Sequence, residues 1–161
     1  MALPFSDLLE RADETGIRLE MMNGIPIWEA RPAFRHQRES FRIQQSIKSL
    51  DYCGCHHVAD VYVKFSDNSI KRPDISIFCQ EPTELDEAIT LIPETVIEII
   101  SVGYEFKDKE LAPKFYLENG VKDILVFDPR SLEIWHHTAV GTQEFVSPTV
   151  FKLECGCSVK I

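Results

Sequence analysis

Two acidic residues stand inside segments whose other residues are typical of buried strands. Asp74 lies in residues 71–78 and Glu98 in residues 95–100, so they are 24 positions apart. An ionised carboxylate buried without a partner costs several kcal/mol, so each of these residues needs a nearby cation. Two carboxylates on neighbouring strands can supply oxygen ligands to a Mg²⁺-like ion. The pattern therefore predicts a divalent-metal site.

Simpler roles remain open for both carboxylates. Asp74 could cap a strand end or pair with Arg72, and Glu98 could pair with a buried basic group such as His36. The two acids would then be members of structural ion pairs, with no metal between them.

A basic segment interrupts an acidic chain. The formal net charge is −9, from 17 basic and 26 acidic residues, which argues against indiscriminate binding to nucleic acid. Residues 31–48 nevertheless carry one acid, Glu39, against five basic residues: Arg31, Arg35, Arg38, Arg42 and Lys48. We predict that Arg35, His36, Arg38 and Arg42 contact nucleic-acid phosphate. The alternatives are a solvated helix face for the arginines and a core position beside a carboxylate for His36.

The five cysteines include two Cys-Gly-Cys pairs, at residues 53–55 and 155–157. The N-terminal residues lack the pattern of a secretory signal, so a disulfide framework is disfavoured. A Cys₄ zinc site is an alternative, although structural zinc sites usually leave a gap of two to four residues within each pair. The favoured expectation is reduced thiols at turns.

Length and composition predict a single soluble domain spanning residues 1–161. The chain is 44% apolar and 27% charged, which is ordinary for a globular protein with a packed core. No segment approaches the roughly 18 apolar residues of a membrane span. We therefore expect a cytoplasmic protein with no membrane partner.

These residues must be positioned by a mixed sheet with helices on its faces. Asn23-Gly24 between apolar runs predicts an N-terminal β-hairpin. A helical crossover between the Glu98 strand and residues 123–127 implies that these two strands are parallel. The predicted helices are residues 6–15, 33–50 and 107–119, and the further strands are residues 57–65, 71–78, 132–135, 144–146 and 151–153. The predicted fold class is α/β.

The order of these landmarks resembles the PD-(D/E)XK nuclease superfamily, and within it the bacterial putative restriction endonuclease family. The resemblance covers roughly residues 5–135 in order. The segments that carry it are Glu20–Gly24, His36, Arg72-Pro73-Asp74, Pro93–Ser101, Asp108, Tyr116, Gly120-Val121 and Val126–Pro129.

The resemblance implies a restriction-endonuclease-like fold and a metal-dependent DNA endonuclease, with a homodimer as the expected assembly and no organic cofactor. Asp74, Glu98 and the backbone carbonyl of Ile99 would bind Mg²⁺ or Mn²⁺, and the metal would activate water for attack on a phosphodiester. Glu20 either assists near the metal or is an exposed strand residue.

The chain departs from the superfamily pattern at its lysine. The two positions where that lysine usually stands are occupied by Ile100 and Ala112, so Lys107, Lys109 and Lys114 are the candidate substitutes. Pro113 also disturbs this helix. Two alternative functions therefore stay open: a catalytically impaired relative that serves as a nucleic-acid- or protein-binding module, and a zinc-binding interaction protein.

Overall fold

The structure is a computed structural model that describes residues 5–29 and 33–161. Arg31, one residue of the predicted basic segment, lies outside the described residues. The helices are α1 (Phe5–Glu14), α2 (Phe34–Gln45) and α3 (Ala112–Glu118), and a π-helical turn (Lys107–Leu111) runs directly into α3. The strands are β1 (Arg18–Met22), β2 (Ile25–Glu29), β3 (Lys48–Ser49), β4 (His56–Ala59), β5 (Val63–Lys64), β6 (Ile70–Lys71), β7 (Ile75–Phe78), β8 (Thr95–Ile99), β9 (Asp123–Phe127), β10 (Glu133–Thr138), β11 (Gly141–Val146), β12 (Val150–Lys152) and β13 (Cys157–Lys160).

The central sheet has six strands in the order β11-β10-β9-β8-β7-β4. β8 and β9 are parallel, and the π turn and α3 form the crossover between them, whereas the other neighbours are antiparallel. The predicted mixed α/β sheet with flanking helices is confirmed. None of the described helices combines the length and apolar character that crossing a membrane requires.

The N-terminal hairpin is confirmed as well. Asn23 and Gly24 both have positive φ, 51° and 78°, as a type I′ turn requires. The hairpin strand β1 also pairs with β6, with Met21 opposite Ile70. This second pairing brings the hairpin, which is distant in sequence, against the strand that leads to Asp74.

Strand β8 separates two apolar cores because its side chains alternate between the faces of the sheet. Ile97 and Ile99 pack into one core, whereas Val96 belongs to the other, together with the aromatic side chains of α3. Each fully buried aliphatic side chain contributes about 1.5–3 kcal/mol of stabilisation. Glu98 has the same parity as Val96, so its carboxylate lies on the α3 side of the sheet.

Several predicted elements differ from the structure, among them the strand 71–78, which is split into β6 and β7. The long helix ends at Gln45 rather than near residue 50, where the Ser46 hydroxyl donates to the carbonyl of Ile43 at 2.7 Å. The predicted strand 57–65 is split into β4 and β5, because Asp60 between them has a φ of 62°. The predicted helix 107–119 begins with the π turn.

The expectation of reduced cysteines is contradicted. The structure joins Cys53 to Cys79 and Cys55 to Cys157 as disulfides and leaves Cys155 as a buried thiol. The physical reason is the strand β13, which the sequence pattern did not predict. It pairs with β3, with Cys157 opposite Ser49, and thereby carries the second Cys-Gly-Cys pair to the first.

Candidate active site

Asp74 and Glu98 lie side by side at the edge where β7 begins. The antiparallel register pairs Ile75 with Ile97, and continuing it by one residue puts Asp74 opposite Glu98. The Asp74 amide donates to Glu98 Oε2 at 3.3 Å, and the Ile99 amide donates to Asp74 Oδ2 at 2.7 Å. The two carboxylates and the Ile99 backbone are therefore held together by the sheet itself.

Burial makes Glu98 hard to ionise. Its side chain is almost fully enclosed, and Oε1 accepts a hydrogen bond of 2.7 Å from the Tyr116 hydroxyl. Burial raises the Glu98 pKa well above its ordinary value, and the negative charge of Asp74 raises it further. A cation placed between these carboxylates would lower that pKa, so the pair is suited to a positive ligand.

His36, rather than Arg72, contacts Asp74. The His36 Nε2 atom lies 3.0 Å from Asp74 Oδ1, and the other ring nitrogen is buried with no hydrogen-bond partner among the described residues. Burial alone would lower the His36 pKa, but the hydrogen bond and charge of Asp74 outweigh burial and raise it. Arg72 instead pairs with Asp60 at 2.9 Å. The proposed pairings of Asp74 with Arg72 and of Glu98 with His36 are thus both wrong.

Of the three candidate lysines, Lys107 is the one whose ammonium group lies among the acidic side chains around Asp74 and Glu98. Its Nζ is 2.7 Å from Glu29 Oε1, 3.5 Å from Glu20 Oε2 and 3.6 Å from Asp108 Oδ1. Burial would lower the Lys107 pKa, but these carboxylates outweigh burial and raise it. The ammonium group is therefore charged at neutral pH.

Lys109 and Lys114 are directed elsewhere. The Lys109 ammonium lies 3.9 Å from the centre of the Trp135 ring, a cation–π contact. Lys114 is exposed and lies 4.0 Å from Glu118. The structure does not bring either lysine to the pair of carboxylates.

The π turn determines which lysine reaches the site. The Ala112 amide donates to the carbonyl of Lys107, five residues earlier, and Pro113 in the next position has no amide hydrogen to give. This wider turn places both Lys107 and Asp108 on the side that faces Asp74 and Glu98. Burial raises the Asp108 pKa to about 6.

A cleft with about 20 Å³ of interior space, enough for one small ion or water, lies over these groups. We call it the carboxylate cleft; it is lined by Arg18, Glu29, His36, Asp74, Glu98, Ile99, Ser101, Tyr104, Lys107 and Asp108. Four of these residues are acids and two are permanently basic. With all four acids ionised the cleft would carry a net negative charge, which a bound cation would offset.

Glu20 is fully buried, so its alternative role as an exposed strand residue is wrong. Its carboxylate accepts hydrogen bonds from the Lys71 ammonium and from the Arg72 amide, the latter at 2.6 Å. Burial would raise the Glu20 pKa, but Lys71 and Lys107 outweigh burial and lower it to about 2. Glu20 does not line the cleft and reaches it through Lys107.

Sequence reasoning missed Arg18, Glu29 and Lys71. Arg18 lines the cleft, where Asp60 holds its guanidinium at 2.9 Å. Burial raises the Glu29 pKa to about 7, and the nearby charge of Glu20 adds to that effect. A signal existed for Glu29, because it is the acid that ends the predicted hairpin, but no local signal identified the other two.

The arginines of α2 are distributed over its outer surface. Arg42 pairs with Glu39 at 2.7 Å, and Arg38 lies 3.5 Å from the same acid. Arg35 lines a hollow next to the carboxylate cleft, and His36 belongs to both. Of these arginines, Arg35 is therefore the one that lies next to the cleft, at the start of α2.

The oxygen donors of the cleft fit a hard divalent cation. Mg²⁺ is usually held by one or two carboxylates and keeps several of its waters, and Asp74, Glu98 and the Ile99 carbonyl offer this kind of ligand set. Among the described residues, only cysteine groups bring three side-chain donors within 4.8 Å of one another. The remaining ligands in the cleft would have to be waters or substrate oxygens.

Comparison with solved structures agrees with this fold. The structure is similar to the crystal structure of a putative nuclease belonging to DUF820 from Anabaena variabilis ATCC 29413, with a TM-score of 0.60, 19% identity, and coverage of 83% of this chain and 79% of that one. At this identity the likeness establishes a nuclease-like fold. No curated protein sequence matches the chain.

The family follows from the sequence match. Residues 5–154 match the Uma2 family, which is described as "Putative restriction endonuclease". The match covers most of the chain, so the protein belongs to the Uma2 family. The resemblance predicted from the sequence is confirmed.

Proposed function

We propose that this protein is a divalent-metal-dependent endonuclease that hydrolyses phosphodiester bonds in DNA. The observation that carries the proposal is the meeting of Asp74, Glu98 and the Lys107 ammonium around one small cleft. Membership of a family described as "Putative restriction endonuclease" supports the same reaction class.

In this proposal the carboxylates of Asp74 and Glu98 and the carbonyl of Ile99 hold Mg²⁺ or Mn²⁺. When bound, the ion lowers the pKa of a coordinated water and stabilises charge on the scissile phosphate. The Ile99 amide and the Tyr116 hydroxyl fix the two carboxylates, so little reorganisation is needed on ion binding. His36 fixes the second oxygen of Asp74.

Lys107 supplies the positive charge that the superfamily lysine would otherwise supply. It is partly exposed to the cleft and charged at neutral pH, so it can donate to a phosphate oxygen or orient the attacking water. Glu20 and Glu29 hold the ammonium in place. Glu20 is thus a positioning residue that acts through Lys107.

The substrate is proposed to approach along α2. Arg35, Arg38 and Arg42 lie on the helix that delivers His36 to the cleft, so DNA phosphates on this surface would lead into the site. Because one cleft can cut one strand at a time, we also propose a homodimer for cleavage of both strands. Light scattering of the purified chain measures its mass directly.

The decisive experiment is Mn²⁺-dependent nicking of supercoiled plasmid, run beside a single-stranded oligonucleotide. The parent protein should nick DNA, whereas Asp74→Asn and Glu98→Gln should not, and the exposed-surface control Glu118→Gln should retain full activity. Calorimetry should show Mn²⁺ binding that both active-site variants lose. Nicking that persists in both variants would contradict the proposal.

A second candidate function is favoured by one observation. Three carboxylates surround the Lys107 ammonium, and they reduce the positive charge available to a phosphate. A chain with this arrangement could bind DNA and metal without cutting. Mn²⁺ binding by calorimetry together with no nicking by the parent would establish this binding module in place of the enzyme.

A further inference from the structure

All five cysteine sulfurs of the chain converge in one place away from the carboxylate cleft. The sulfurs of Cys53, Cys55 and Cys157 lie within 4.8 Å of one another, and so do those of Cys53, Cys79 and Cys155. Cys53 belongs to both groups, so the five residues form one group, which we call the cysteine cluster. It joins the loop before β4, the end of β7 and the turn before β13.

The cysteine cluster is dry and lies on the opposite face of the central sheet from Glu98. Cys53, Cys55, Cys155 and Cys157 are each at most 6% exposed, and they pack with Ile97 and Ile99 in the apolar core of that face. Glu98 shares its face with the other core. The cluster is therefore independent of the proposed nuclease site.

The two turns that carry the paired cysteines are built for close approach. A Cβ on Gly54 would lie 2.5 Å from the His56 ring and 3.0 Å from the carbonyl oxygen of Cys79. Gly156 has a φ of 93°, and a Cβ there would lie 3.2 Å from the Asp51 side chain. Glycine is therefore required at the centre of each pair, since any larger residue would separate the segments.

Backbone hydrogen bonds join the same segments. The Gly54 amide donates to the carbonyl of Cys79 at 3.1 Å, and the Leu50 amide donates to the carbonyl of Gly156 at 2.9 Å. Thus the main chain, as well as the sulfurs, holds the three segments together. A cluster with this support does not depend on the sulfur–sulfur bonds alone.

Two disulfides leave part of the cluster unexplained. They use four sulfurs, and the fifth, on Cys155, lies beside both sulfurs of the Cys53–Cys79 bridge.

We propose that the cysteine cluster, in its reduced form, is a structural zinc site. Cys53, Cys55 and Cys157, whose sulfurs lie within 4.8 Å of one another, would bind one Zn²⁺, and Cys155, whose sulfur lies within that distance of Cys53, would turn in to complete the set once the disulfides are open. Four thiolates in a tetrahedron are a common structural zinc set, and burial excludes the water that would open such a site. These four are the most buried sulfurs, whereas Cys79 is half-buried and serves as a neighbour rather than a ligand.

The zinc-binding form is reached by reduction of both disulfides. An added phosphine reduces each disulfide by two electrons and is itself oxidised, which gives five thiols. Zinc binding then moves no electrons and releases the protons of the four ligating thiols. The ion would join Cys55 to Cys157 across 102 residues of sequence, as the disulfide does, and would fix the C-terminal hairpin to the sheet.

The test is the zinc content of the full chain, purified with a phosphine reductant and without chelator. Plasma mass spectrometry should find about one Zn²⁺ per chain, and replacement by Co²⁺ should give the strong near-ultraviolet absorption of thiolate ligands. Alkylation after denaturation should modify all five cysteines. A fully reduced protein, with all five cysteines alkylated, that contains no zinc would overturn the proposal.

Two matched variants test the ligand set. Cys155→Ser should lose the zinc and the Co²⁺–thiolate absorption, whereas Cys79→Ser should keep both. The reverse result would overturn the assignment of Cys155. If Cys155→Ser does not fold, titration of the parent with an organomercurial and a zinc-sensitive dye replaces it: zinc release in step with thiol consumption supports the proposal, and no release contradicts it.

Discussion

The carboxylate cleft and the cysteine cluster differ in nearly every property that decides which metal a site prefers. The cleft offers carboxylate and carbonyl oxygens among charged side chains and opens to solvent, whereas the cluster offers sulfurs in a dry apolar core. Oxygen ligands with open positions suit Mg²⁺ and catalysis, and closed thiolate sites suit Zn²⁺ and stability.

Strand β7 connects the carboxylate cleft with the cysteine cluster. Asp74 stands immediately before β7 and Cys79 immediately after it, so about 17 Å of extended chain separates them. The alternation of side chains in neighbouring β8 keeps the two environments apart, because consecutive residues face opposite cores. A short strand can therefore support two unlike sites without mixing their ligands. Five predictions concern the two sites and their surroundings, and the first tests this separation.

The largest effect is expected from the carboxylates. Asp74→Asn and Glu98→Gln each remove a negative charge where the metal would bind, so the initial rate of DNA nicking should fall by about a thousand-fold. Zinc measured by plasma mass spectrometry should be unchanged, because the cysteine cluster lies on the other face. A variant that lost both nicking and zinc would show that the two places are not separate.

Removal of the Glu20 charge should act on stability. Glu20→Gln leaves the buried Lys71 ammonium without its partner, so urea unfolding at neutral pH should show a loss of about 3–5 kcal/mol. The exposed-surface control Glu144→Gln should change stability by less than about 0.5 kcal/mol.

The lowered pKa of Glu20 predicts how its contribution to the free energy of unfolding depends on pH. Its folded pKa, about 2, lies below the ordinary 4.5, so its contribution is complete above 4.5 and is lost as the pH falls towards 2. The stability difference between Glu20→Gln and the parent should therefore shrink with acid over that range. A constant difference would show that the ion pair is not its source.

Substitution of Lys107 should affect the chemical step with a smaller magnitude than loss of a metal ligand. Lys107→Met should lower the nicking rate by about a hundred-fold at saturating Mn²⁺ while calorimetric Mn²⁺ binding persists. Lys109→Met and Lys114→Met should stay near the parent rate, since their side chains point away from the cleft. Equal losses of nicking rate in all three variants would show that Lys107 has no catalytic role that Lys109 and Lys114 lack.

The smallest effect is expected from the arginines of α2. Arg38→Gln and Arg42→Gln should each weaken DNA binding modestly and reduce the slope of log affinity against log salt by about one. The control is Lys152→Gln, which removes an exposed positive charge on strand β12 rather than on α2. It should leave the slope unchanged. Fluorescence anisotropy with a labelled duplex measures both quantities.

The parts of the molecule that local patterns specify could be predicted from the sequence. The Asn23-Gly24 turn requires positive φ at both positions, and those residue types favour it. The alternation in β8 assigned Glu98 to one face, and a helical crossover requires β8 and β9 to be parallel. Each of these features depends on residues that are close in the chain.

The remaining parts depend on pairings between distant segments. Lys71 meets Glu20 only because β6 pairs with β1, and Cys157 meets Cys55 only because β13 pairs with β3. No local period encodes either register, and a four-residue strand such as β13 gives almost no signal. The choice among the three lysines likewise depended on the form of one helical turn.

That turn carries one residue more than an α-helix would need. An α-helix advances about 100° per residue, so deletion of Glu110 would rotate Lys107 and Asp108 by about that angle relative to Tyr116. In terms of sequence evolution, a turn of this form is what the insertion of one residue into an α-helix would produce. Relatives without it should carry their lysine at a different distance from the tyrosine, and an alignment of the family should open a gap between residues 107 and 111.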